Sequence, residues 1–505
     1  MADVDKTKDM VELKIEGETE QTEVKKSSRR PDIDLIRILL TWGILLYHTV
    51  LIYTPLLPYY LKVFPDQLEE WHWSSFWFII SMNAWNMPMF FFLSGISAFF
   101  GLKKRDENQF RMERVHRLLV PAIFLSLTSS LSTGLNYFSK LSPNCQEFSE
   151  FKNVSLKTGS GYSWTHCEMY NPVRGNESYS QYLKELFLPF PSPSQGWFLC
   201  YLFVFSQTFA PLFLLVHPDH QDQQRFGCFR RLLSKKIRVD FCFNFSQYFT
   251  TANIHFVKGV KFWLGHPLKL ALIPSLLIGL VEALLRPTSP DDAVGFFAIF
   301  ADTYNLLHYR VPSAINYIIV FLLGFGITVA DEHGIKEVIK KGRWFNLVIG
   351  VLINILFSFK SLPIIHYPPD SVIVDGVLRF LRGPSEWLLI LGLYGVTREL
   401  VTKTYSPLSV LSELAMPFYL THQQVLVMIT AGASWYPHLR SLPAVLSLST
   451  AGTLAVSWVI TRAGPLRYFF GLPSKTLPGS CLRGTVPTVV LGSLFIVACV
   501  LANHL

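Results

Sequence analysis

The chain has 505 residues, half of them apolar, 14% aromatic and only 16% charged, with a formal net charge of +9. Soluble chains carry about a quarter charged residues, so this composition excludes a soluble globular enzyme and points to a lipid bilayer. A basic excess is common to nucleic-acid binders and membrane proteins, and its distribution along the chain separates the two.

Residues 1–30 form a polar tail, acidic early and closing on Lys25-Lys26-Ser27-Ser28-Arg29-Arg30. No cleavable signal is expected ahead of the first apolar segment. From there eleven apolar spans follow: 34–53, 75–101, 116–137, 196–217, 262–285, 312–330, 344–358, 372–397, 406–430, 442–461 and 485–503. About 20 residues of helix cross a bilayer, and helices satisfy their own backbone polar groups there. The expected fold class is all-α, a polytopic helical membrane protein of about 10–11 transmembrane helices. No internal repeat is visible.

With the N-terminus placed in the cytosol, the segments on that side hold 31 Lys and Arg, and the opposite connections hold about 10. That is the positive-inside distribution, so the charge records topology and no nucleic-acid partner is called for. The long connection at 138–195 falls on the lumenal or extracellular side. It carries Cys145 and Cys167, a candidate disulfide, and the acceptor triplets that start at Asn153 and Asn176, candidate glycosylation sites. Chance produces the same features. They tilt the expected location to a eukaryotic secretory-pathway or plasma membrane. The other five cysteines have no metal-ligand spacing, and no metal site is expected.

The first span, Asp32 to Tyr53, holds Arg37 and, eleven residues later, His48. Eleven residues are close to three helical turns, so the two side chains project from one face, roughly 16 Å apart along the axis. Asp34, three residues before Arg37, is its expected partner. Two readings fit each residue. An intramembrane histidine joins helices by hydrogen bonding or does chemistry, and an arginine near a span end snorkels to the interface or binds a ligand. Charges recur in the eighth span as the i,i+4 pairs Asp375/Arg379 and Arg382/Glu386, which either neutralise one another or hold a polar acceptor. In the ninth span Glu413, Tyr419 and His422 make a polar strip, read as support for His48 or as interhelical hydrogen bonding.

These stretches resemble the membrane-bound acyltransferase-3 family. "RPDIDLIRILLTWGILLYH" resembles its opening helix, an Arg, ten residues, then a His, here Arg37 and His48. "MPMFFFLSGISAFFGL" resembles its Phe-rich Leu-Ser-Gly stretch at Leu93-Ser94-Gly95. "RMERVHRLLVPAIF" resembles its Arg-x-x-Arg entry to the third helix, here Arg114 and Arg117. "GWFLCYLFVF" and "MPFYLTHQQVLV" are similar to a fourth-span start and a late Tyr-x-x-His stretch, at Tyr419 and His422. The resemblance covers about 31–470, leaving 471–505 as a turn plus an additional helix. The 138–195 loop, the tail and the eleventh span depart from a core of usually ten helices.

The resemblance implies an integral-membrane O-acyltransferase. It would move an acyl group, acetyl first, from cytosolic acyl-CoA to a hydroxyl of a glycan, lipid or small-molecule acceptor. Acyl-CoA is then a co-substrate, and no resident cofactor is implied. His48 would be the base or the acyl carrier, with Arg37 beside it. Arg114 and Arg117, three apart and hence neighbours on one helical face, would meet donor phosphate, although positive-inside anchoring explains them equally. Asp34, Arg379, Arg382, Glu386, Tyr419 and His422 would bind acceptor or support His48. Ser94 beside Gly95 suits close helix packing better than nucleophilic attack. A transporter or channel without acyl chemistry accounts for the spans and buried charges. It leaves the match over three spans unexplained, and paired broken helices are missing. A receptor or scaffold has no need of a stacked Arg and His.

Overall fold

A computed structural model describes residues 30–53, 72–103, 105–125, 196–216, 255–285 (without 257), 311–359, 372–433 (without 404) and 436–472. Of these, 93% are helical and none is in a strand. The helices are α1 (Pro31–Ile52), α2 (His72–Lys103), α3 (Glu107–Arg114), α4 (Trp197–Val216), α5 (Pro267–Leu285), α6 (Val311–Ala330), α7 (Lys336–Phe359), α8 (Val372–Leu400), α9 (Ser406–Ala433), α10 (Leu442–Arg462) and α11 (Gly464–Phe469). Nine expected spans reappear as α1, α2 and α4–α10. The third is entered through α3 and a π-helical turn, Val115–Leu119, and continues as helix to residue 125. The eleventh span, the 138–195 loop with Cys145, Cys167, Asn153 and Asn176, and the tail before residue 30 lie outside the described residues.

Five helices, α1, α2, α4, α5 and α10, are long and apolar enough to cross a bilayer. The chain is a multi-pass membrane protein. Its outer faces agree: Leu272, Leu276, Leu280 and Leu284 run exposed along α5, and Phe345, Val348, Leu352 and Leu356 along α7. Rows of bare leucine at i,i+4 are a liability in water and ordinary against lipid. The seventh span starts earlier than its apolar core, because Lys336–Arg343 extends the helix by two polar turns.

α1 sits inside the bundle, packed by α2, α8, α9 and α10. Its start is well specified: Pro31 takes the first turn, where no N–H is needed, and Asp32 and Asp34 face the positive helix end. Arg30 pins that start, donating to Asp32 at 2.9 and 2.6 Å and to the Tyr394 hydroxyl of α8 at 3.3 Å. Ile36, Leu40, Leu45 and Ile52 fill the interior behind it.

Small residues set the helix crossings. A methyl on Gly95 of α2 would collide with the Phe321 carbonyl of α6, and one on Gly324 of α6 with the Phe92 carbonyl of α2. Backbone thus meets backbone, the usual way helices associate in lipid. Beside Gly95, the Ser94 hydroxyl donates to the Phe90 carbonyl of its own helix at 2.7 Å, a packing role. Gly383 of α8 lies against Gly279 of α5 in the same manner. Gly95→Ala or Gly324→Ala must prise α2 from α6. Overpacking costs about 1–3 kcal/mol, so each should lower the thermal midpoint of detergent-purified protein; an unchanged midpoint would contradict the crossing.

Candidate functional site

α1 is continuous helix from 31 to 52, so Arg37 and His48 keep the three-turn stacking along one face. They serve two different places. At the first, the Arg37 side chain is 40% exposed and lies 3.9 Å from Asp34, the expected i,i+3 partner. Arg37 also donates to the Ser97 hydroxyl of α2 at 2.5 Å. Asp34 is buried and accepts from the Ser412 hydroxyl of α9 at 2.7 Å. A carboxylate fixed by a third helix therefore orients a guanidinium that stays reachable.

Arg114 and Arg117 close in on that end differently from each other. The π-helical turn begins directly after Arg114, and a π turn takes one extra residue, so the simple shared-face reading does not hold. Arg117 Nε reaches Glu113 Oε1 at 3.0 Å, and Arg105 reaches the same oxygen at 2.9 Å. Arg114 instead lies over the Phe110 ring, 4.7 Å from its centroid, with its Nε buried and without a hydrogen-bond partner among the described residues. Room for it comes from Gly101, where a Cβ would stand 2.8 Å from Arg114 Nη2. Burial pushes the Arg114 guanidinium down to about 10; Glu113 opposes this, and Arg117, Arg105 and Arg37 add to it. A cation held in that condition is relieved by an anion, and guanidinium matches phosphate best.

The second place surrounds His48. Its ring lies 5.3 Å, centroid to centroid, from His422 of α9 and 5.3 Å from Tyr47. His422 Nδ1 stands 2.6 Å from the Tyr419 carbonyl, which can only accept, so Nδ1 carries the hydrogen. Tyr419 packs near His422, Phe90 of α2 and Phe198 of α4. The structure thus unites His48 of α1 with His422 and Tyr419 of α9, against rings from α2 and α4. Glu413 does not belong with them: it pairs with Arg467 at 3.1 Å and is half exposed.

Arg382 and Glu386 form a third, separate group. Arg382 reaches across to Glu282 of α5 at 3.9 Å and to the Asn83 carbonyl of α2 at 3.5 Å. Glu386 accepts from Asn316 of α6 at 2.8 Å, and the same amide nitrogen lies 3.3 Å from Glu282. Glu282, Asn316 and Glu386 are at most 1% exposed. The Gly279–Gly383 crossing, one turn away on both helices, brings these groups together. Glu282, Asn316, Ser97, Ser412 and Gly101 are absent from the sequence reading. A lone carboxylate in the fifth span was the one legible signal. Arg379 is half-buried on α8, and the Asp375 side chain is outside the described ones. Among the described residues no group of three His, Cys, Asp or Glu is placed to hold a metal ion.

α1 thus carries a stacked Arg and His in a multi-pass membrane protein, with an arginine cluster at one end and a histidine pair farther along. A family model described as an acyltransferase domain matches residues 30–291, just over half of the chain, and the protein belongs to the acyltransferase-3 family. The match includes Arg37, His48, Arg114 and Arg117 and ends well before Tyr419 and His422. Among curated proteins and solved structures nothing matches.

The collision at Gly101 is with the far end of a flexible side chain, so Gly101→Ala should leave the thermal midpoint near wild type. It should still displace Arg114. Inorganic pyrophosphate should stabilise the wild-type protein with an affinity about tenfold better than Gly101→Ala or Arg114→Gln, the worth of one charge-assisted hydrogen bond. Equal affinities would remove Arg114 from the anion site.

Proposed function

We propose that the chain is an integral-membrane O-acyltransferase that takes an acyl group, acetyl first, from acyl-CoA on the cytosolic side. It delivers that group to a hydroxyl of a glycan, lipid or small-molecule acceptor. The observation that carries the reading is the single helix α1. It holds Arg37 in the arginine-rich end and His48, about three turns deeper, within the region matched as an acyltransferase domain.

The donor's phosphates meet Arg37, Arg114 and Arg117, which Asp34, the Phe110 ring and Glu113 respectively hold in place. Its flexible arm runs along the Arg37–His48 face and carries the thioester to the imidazole. An alcohol is a weak nucleophile near neutral pH, and a positioned base speeds its attack by about 10²–10⁴-fold. Imidazole is the side chain suited to that task. In direct transfer His48 takes the hydroxyl proton as the C–O bond forms and the C–S bond breaks, then returns it to the thiolate as coenzyme A leaves. In the covalent route His48 first takes the acyl group as an acyl-imidazole. The Glu282–Asn316–Arg382–Glu386 group, with Arg379 on the same helix, offers polar contacts for the acceptor.

With radiolabelled acetyl-CoA and detergent-purified protein, His48→Ala should lose label transfer by about 10²-fold or more. Arg37→Lys, which keeps the charge and loses the fork, should raise the donor KM about tenfold with a smaller effect on kcat. Normal turnover by His48→Ala would remove the histidine from the chemistry. Uptake of substrate into liposomes without thioester cleavage would replace the transferase with a transporter.

A further inference from the structure

We infer that His422 is a second catalytic residue, and that the two histidines divide the reaction between them: His48 carries the acyl group and His422 takes the acceptor's proton. The inference rests on the transferase reading above and assigns the covalent route within it. His422 lies beyond the residues matched by the acyltransferase family model, and the role assigned to it here is argued from its geometry.

Three observations support it. His422 is 1% exposed, and its Nδ1 is committed to the Tyr419 carbonyl at 2.6 Å. In the neutral ring this fixes the tautomer, leaving Nε2 as a bare lone pair. That Nε2 is buried and has no hydrogen-bond partner among the described residues. A buried acceptor without a donor costs about 1–3 kcal/mol; a structural histidine would be expected to use both nitrogens. The ring also faces His48 across 5.3 Å at an interplanar angle of 32°. This is too far apart for stacking contact and close enough for an acyl group on one ring and a hydroxyl on the other to meet.

The chemistry balances without any further reagent. In the first step a His48 nitrogen attacks the thioester carbonyl. The C–N bond forms, the C–S bond breaks, and the proton lost by the His48 ring goes to the thiolate, releasing coenzyme A as the thiol. In the second step the acceptor hydroxyl attacks the acyl carbon while His422 Nε2 removes its proton. The C–O bond forms, the C–N bond breaks, and the proton on His422 passes to the nitrogen that His48 has regained. Both rings end neutral. Tyr419 and its carbonyl hold the base in register, and Phe90 and Phe198 pack behind Tyr419.

The test uses full-length protein in detergent, acetyl-labelled acetyl-CoA as donor and glycerol as a probe acceptor. The variant of choice is His422→Asn, whose amide N–H can still reach the Tyr419 carbonyl while the Nε2 lone pair is gone. His422→Gln is the second variant if the first does not fold. The expected result is a burst of coenzyme A with label retained on the protein, followed by turnover slowed about 10²-fold. Imidazole added to the solution should restore release, which a merely structural role would not allow. His48→Ala/His422→Asn should take no label.

Wild-type turnover by the His422 variants would overturn the assignment. So would a folded variant that loses the burst together with turnover, or retained label that does not need His48. Absence of thioester cleavage by wild-type protein, or full cleavage by His48→Ala, would strike the transferase reading itself.

Discussion

Everything in this protein follows from enclosing α1. A helix that carries Arg37 and His48 cannot lie bare against lipid, where a charged side chain at the helix centre costs about 2.5–3.5 kcal/mol even on mild scales. Packing by α2, α8, α9 and α10 reduces that exposure and leaves the Arg37 end partly open. Three of those helices bring a polar partner to α1 or its start. Ser97 comes from α2, Ser412 and His422 from α9, and Tyr394 from α8 to hold Arg30. The same enclosure gives the site its two levels.

Those levels differ in character. The Arg37 end is cationic and partly open, with Glu113 shared between Arg105 and Arg117 and Arg114 pressed over Phe110. Its electrostatics favour an anion and its arginines remain positioned for one. The His48 level is bordered by the rings of Tyr47, His422 and Tyr419. Low dielectric strengthens every interaction a reacting group makes. In the proposed transferase, a donor with a charged head and a reactive tail would span both levels along one helical face.

Apart from these, Glu282, Asn316, Arg382 and Glu386 form a buried polar group that the Gly279–Gly383 crossing creates. Larger residues at the crossing would separate α5 from α8 and leave two carboxylates and a guanidinium in hydrocarbon without each other. Glycine here is a condition for burying charge as well as for packing.

The sequence by itself determined the helical membrane class, because long apolar windows and a low charged share admit no other backbone in lipid. It also determined the relation of Arg37 to His48, since an eleven-residue separation within one helix is local geometry, and so is the Asp34–Arg37 pair. Nine helices stand where the apolar windows lie, for the same local reason. Tertiary structure alone decided which helices face one another, because apolarity marks a residue as buried in lipid or protein without saying which. His422 therefore read as a polar residue of uncertain use until α9 was set against α1, and Glu413 read as its neighbour until Arg467 claimed it. The π turn after Arg114 broke a periodicity that spacing assumes to be uniform. Glu282 and Arg382 meet because Gly279 and Gly383 let α5 and α8 touch, and no local pattern encodes that.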